Sequence, residues 1–128
     1  MPPLDARDLL ENVADGVVVH DAETGEIRDV NARFCELTGY RREELLGSTV
    51  DLVSVEAPGY DHESALELLE RAQREESVEF EWRVETKSGN VSPVDVHLSA
   101  GPDGEYAVAT VRDMAERKAR ERERREMA

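Results

Sequence analysis

The chain has 128 residues, 39% apolar and 36% charged, enough for one compact domain with a single core and too few for two. Its 30 acidic and 16 basic residues give a formal net charge of −14, which excludes a general nucleic-acid binder, whose phosphate contacts need clustered Lys and Arg. Cys35 is the one cysteine, so an internal disulfide and a cysteine-based metal cluster are excluded as well.

Residues 1–8 carry little pattern and read as a tail. Leu9-Leu10-Glu11-Asn12-Val13-Ala14 is a short amphipathic helical segment ended by Asp15-Gly16. Val17-Val18-Val19-His20 is β-branched and predicts a strand. Asp21 to Gly25 is turn chemistry, and Ile27 to Val30 is the returning strand of a hairpin. Asn31 is a good helix N-cap for a short helix over Ala32–Leu37, which Gly39 ends. Arg41 to Leu46 predicts a second short helix, stopped by Gly47. Residues 48–60 read as irregular, with Pro58-Gly59 as a firm breaker. Asp61 caps the longest internal helix, His62 to Glu75, whose Ala65, Leu66, Leu69 and Ala72 form one stripe.

Three strands follow. Val78, Phe80, Trp82 and Val84 alternate strictly with charged residues, the pattern of a half-buried strand. Val94, Val96 and Leu98 alternate with Asp95, His97 and Ser99, and Pro93 stands near that strand's start, where a missing N–H is tolerable. Tyr106 to Val111 is apolar on both faces apart from Thr110, which predicts a strand that is central or covered on both sides. From Met114 the chain turns charge-rich, with Glu116/Arg120 and Glu121/Arg125 paired at i,i+4 in the favourable order. Residues 114–128 therefore read as a solvated helix leaving a domain that spans 9–113. Two strands, short helices and three strands make an α+β fold: a five-stranded antiparallel sheet with the helices on one face and a C-terminal linker helix.

Asp15-Gly16-Val17-Val18-Val19, Asn31-Ala32-Arg33-Phe34, Leu37-Thr38-Gly39-Tyr40-Arg41-Arg42-Glu43-Glu44-Leu45-Leu46-Gly47, Lys87-Ser88-Gly89 and Val111-Arg112-Asp113-Met114-Ala115-Glu116-Arg117-Lys118 stand in this order. In these residues the chain resembles a PAS domain, over about 7–118. Ser88 departs from the family, which usually carries Asp there. The resemblance implies a sensory or protein-interaction module of a signal-transduction protein, such as a sensor histidine kinase of a two-component system or a transcription regulator. It implies a domain that is not itself an enzyme, with any kinase output in cis elsewhere in a longer protein. It also implies a homodimer through the N-terminal helix (7–14) and the C-terminal helix. Against that, Met114, Lys118, Glu121 and Arg125 make a poor apolar seam, so a monomeric helix stays open. The pattern breaks off at Ala128, as in a fragment.

All basic residues but Lys87 and Lys118 are arginine. With the acid excess, this is the composition expected of a halophilic host such as a haloarchaeon, in whose salt the self-repulsion of a dense negative surface is screened; a GC-rich genome is the plainer alternative. No apolar run approaches the roughly 18–20 residues of a membrane span, and Met1-Pro2-Pro3-Leu4-Asp5 is not a signal-peptide start. The expectation is a cytoplasmic protein with no membrane insertion and no direct nucleic-acid contact.

No motif of nucleophilic, phosphate-binding or metal-dependent catalysis is present, and the carboxylates are scattered over wet faces, so an enzyme acting on a small metabolite is the weakest reading. Light-sensing relatives carry a reactive cysteine at the position of Val50 and a flavin-gripping amide at that of Val111, so a thiol–flavin adduct is not expected. Oxygen-sensing relatives bind haem iron through a histidine near the start of the long helix, where His62 stands. Asp61 and Glu63 flank it, and an exposed cap histidine is the favoured alternative. No cofactor or metal follows from the residues. What remains is an apolar cavity for a small ligand, with candidate walls Val17, Val19, Phe34, Leu37, Leu45, Val53, Leu66, Leu69, Phe80, Trp82, Val96, Leu98, Ala109 and Val111. Filled core, in which these residues simply pack against one another, is the favoured reading; a ligand, if one is held, is expected to be small and mostly apolar.

Overall fold

The structure is a computed structural model that describes residues 15–114. The tail over 1–8, the helical segment Leu9–Ala14 and all of the proposed linker helix beyond Met114 lie outside the described residues. The order is β1 (Gly16–Asp21), β2 (Ile27–Val30), α1 (Ala32–Thr38), α2 (Arg42–Leu45), a 3-10 turn (Val50–Val53), α3 (His62–Glu75), β3 (Ser77–Glu85), β4 (Val91–Ala100) and β5 (Tyr106–Asp113). The strands form one antiparallel sheet in the order β2-β1-β5-β4-β3. This is the α+β arrangement expected from the sequence, with β5 at its centre.

Local chemistry accounts for the element ends. The Asn31 side chain accepts from the Phe34 N–H at 3.0 Å and starts α1. Gly39 ends it at φ 78°, where its N–H reaches the Cys35 carbonyl at 2.8 Å, a conformation that a side chain resists. Asp61 accepts from the Ser64 N–H at 2.8 Å and starts α3. Pro93 pairs only with Arg83 of β3, because β5 joins β4 from Val94 onward; its missing N–H therefore interrupts no ladder on the other side.

The segment read as irregular is better ordered than expected. The Trp82 indole donates to Ser54 Oγ at 2.8 Å, and the Ser54 hydroxyl donates to the Val50 carbonyl at 2.6 Å. Ser54 bridges to Val84, and the Val55 N–H reaches the Arg83 carbonyl at 3.1 Å. The chain between α2 and α3 is thus fastened to the edge strand β3. The core lies between the sheet and the helices, with Ile27, Val30, Leu45 and Val94 fully buried.

Candidate functional site

The inner face of the sheet and the helices border a cavity of about 70 Å³. Of the predicted walls, Phe34, Val53, Leu69, Phe80, Trp82, Val96, Leu98, Ala109 and Val111 line it. Leu45 is buried in the core away from the cavity, and Leu37 and Leu66 pack half-buried against the core. Val17 and Val19 do not line it. In β1 the inward residues are Val18 and His20, with Val18 paired to Val30 and Ala109. A run of three valines ending in histidine has no visible phase, and a one-residue slip exchanges the two faces of a strand.

Val18, His20, Gly25, Ile27, Val50, Ala65, Leu68, Val84 and Val94 complete the wall. Val84 and Val94 carry the same two-residue alternation as their predicted neighbours, so that signal was available for both. Nothing in the sequence marks His20 or Gly25, which meet only because the β1–β2 turn folds back. That turn is shaped by Asp21, whose carboxylate accepts from the N–H groups of Glu23 and Thr24, both at 2.9 Å. These bonds, with that from Arg28, hold the Asp21 pKa down at about 2.

His20 is 6% exposed. Its Nδ1 lies 3.0 Å from the Gly25 carbonyl oxygen, which can only accept, so Nδ1 carries the proton. Burial pushes the His20 pKa below its usual value; the Gly25 bond opposes this and nearby His62 reinforces it. His62 is half-buried rather than exposed, and its Nδ1 is buried with no hydrogen-bond partner. Its ring packs on Gly25: a Cβ there would stand 3.0 Å from His62 Cε1. With φ 77° as well, position 25 admits glycine and little else.

Haem does not fit these residues. His62 is not part of the cavity wall, and roughly 150 Å³ of apolar space is what a single benzene ring occupies, so about 70 Å³ leaves no room for a porphyrin. Trp82, which lines the cavity with Phe80, packs edge-on against Tyr60 and Phe80, with ring centroids 5.2 and 5.9 Å away. Val50 and Val111 both face the cavity, which puts apolar surface where light-sensing relatives carry thiol and amide. Among the described residues no group of three or more His, Cys, Asp or Glu is placed to hold a metal ion, and no helix is long and apolar enough to cross a membrane.

The profile of the PAS fold family matches residues 4–114. No match is found among curated proteins. Among solved structures, the chain is similar to the PAS domain of an HTR-like protein from Haloarcula marismortui, at 31% identity and a TM-score of 0.71, covering 84% of this chain and 87% of that one. It is similar to a domain of a sensory box sensor histidine kinase/response regulator from Geobacter sulfurreducens, at 33% identity and a TM-score of 0.71, covering 84% and 90%. A PAS domain from a two-component sensor histidine kinase shares the fold at 21% identity and a TM-score of 0.67, covering 84% and 92%. With its motifs, its sheet order and these matches in agreement, the chain belongs to the PAS family of sensory signalling modules.

Proposed function

We propose that the chain is the input module of a cytoplasmic signal-transduction protein, in which filling of the core cavity by a small ligand shifts the packing of the sheet against α3. The observation that carries this reading is the cavity itself. Ala109 and Val111 of the central strand line it, and β5 runs on through Asp113 to Met114 and the C-terminal segment. A change in cavity packing therefore has a short covalent route out of the domain. The segment beyond Met114 relays it to an output domain in cis, and two copies pair through their terminal segments. The similar domain from a sensor histidine kinase/response regulator supports this reading. The acid excess and scarcity of lysine fit a salt-rich cytoplasm, and the similar Haloarcula domain supports that. A ligand moves such an equilibrium only by its differential affinity for the two packings.

Ala109→Leu in the full chain tests the relay by filling the cavity with protein. It is expected to change stability by no more than about 2 kcal/mol. It should move the backbone amide resonances of Arg112, Asp113 and Met114, and change the dimer fraction in sedimentation. Thr110→Ser, on the other face of the same strand, should move neither. Shifts confined to the cavity walls would remove the relay.

A further inference from the structure

The cavity wall is apolar except at one end, where His20 lies beside Gly25. His20 Nδ1 is the donor to the Gly25 carbonyl, so the neutral ring leaves Nε2 with an unshared pair and no hydrogen-bond partner among the described residues. We propose, resting on the reading of the cavity as the sensory site, that it takes a short uncharged alcohol whose hydroxyl donates to His20 Nε2 while its carbons meet the apolar wall.

Three observations narrow the class to this one. Among the described residues no Lys, Arg, Asp or Glu lines the cavity, so an anion or a cation would enter with no counter-charge at a large desolvation cost. One acceptor in an apolar wall suits one donor. Water needs about two to four polar partners to stay buried, and this wall offers it too few. The size agrees: an apolar cavity of roughly 150 Å³ takes benzene, so about 70 Å³ suits roughly three or four heavy atoms. The histidine itself stays neutral, because burial disfavours its charged form and His62, the titratable group that faces it from α3, adds to that.

The test uses the full chain with 2-propanol, acetone, acetate and xenon as probes, read by the methyl resonances of Val18, Val96 and Leu98 and by the ring nitrogens of His20. Acetone matches 2-propanol in heavy atoms and lacks the donor. The expected result is saturable binding of 2-propanol about tenfold tighter than acetone, the worth of one hydrogen bond to an otherwise unpartnered acceptor. The His20 Nε2 resonance should move, and acetate should not bind. In His20→Leu the preference should fall to about twofold or less. Should that variant fail to fold, the wild-type nitrogen spectrum still decides: a proton on Nε2 in place of Nδ1 would overturn the proposal. Equal binding of 2-propanol and acetone would also overturn it while leaving a ligand-accepting cavity in place. Failure of all probes, xenon included, to shift the wall methyls would overturn both the proposal and the reading on which it rests.

Discussion

Asn31 is 1% exposed, and its side chain ties two elements together. Its Oδ1 accepts from the Val17 N–H at 2.9 Å and the Phe34 N–H at 3.0 Å, while its Nδ2 donates to the Asp15 carbonyl at 2.9 Å. The start of β1 and the start of α1 are therefore set by one amide, which seats Phe34 against Gly16 and in the cavity wall. Asn31→Ala removes the cap and leaves a buried Val17 N–H unpaired, so the expected loss is about 3 kcal/mol. Urea unfolding measures it, with Asn90→Ala in the exposed β3–β4 turn as the variant expected to cost within about 0.5 kcal/mol. A midpoint for Asn31→Ala equal to that of Asn90→Ala would refute the assignment. The capping role was legible because Asn before an apolar pair is a local signal. The bonds to Val17 and Asp15 were not, since they span the hairpin. His20 was illegible for the same reason: the carbonyl that satisfies it lies across a turn.

Among the elements, sequence periodicity located the strands and α3 well because each carries its own alternation or stripe over many residues. The phase of β1 is not visible because valines occupy both of its faces, and the segment 48–60 reads as irregular because its anchor, Trp82, belongs to a distant strand. A second tether shows how the short helices gain their place. The Lys87 N–H reaches the Thr38 carbonyl at 2.9 Å. Its Nζ sits 3.0 and 2.8 Å from the two Glu44 oxygens and 5.7 Å from the centre of the Tyr40 ring. The β3–β4 turn thereby clasps α1 and α2. Lys87 first, then the Arg41 N–H, pull the Glu44 pKa down to about 2 from its ordinary 4.5. A carboxylate depressed in the folded state stabilises it above the unfolded pKa and loses that effect as pH falls through the folded one. Lys87→Met should raise the Glu44 pKa toward 4.5 in a carboxyl-carbon NMR titration. The stability gap between variant and wild type should be present at neutral pH, shrink below about pH 4.5 and close toward pH 2. An unmoved Glu44 titration would show that the clasp carries no electrostatic coupling.

At the scale of the molecule, charge sets two effects of salt against each other. The surface ion pairs, such as Arg41–Glu43 at 3.2 Å and Arg71–Glu75 at 3.1 Å, are exposed, and each contributes about 0–1 kcal/mol that salt weakens. Against them stands a formal net charge of −14. Glu79 and Glu81 project from the solvent side of β3 with Asp95 beside them on β4. In α3, exposed Glu63, Glu67 and Glu70 recur at helical spacing, where like charges repel. At low ionic strength the self-repulsion of this surface opposes compaction, and it fades as the Debye length falls from about 10 Å near 0.1 M to about 3 Å near 1 M. With nearly two acids for each base, repulsion outweighs the pairs. The melting temperature should therefore rise by roughly 5 °C between about 0.1 and 1 M potassium chloride. Chloride is the right salt because sulfate would stabilise through exclusion from the surface whatever the charge. Repeating the series near pH 4, where carboxylates begin to neutralise, should shrink the rise. A melting temperature that stays level or falls with chloride at neutral pH would mean that the ion pairs prevail and that the acid excess has no bearing on the stability of the fold.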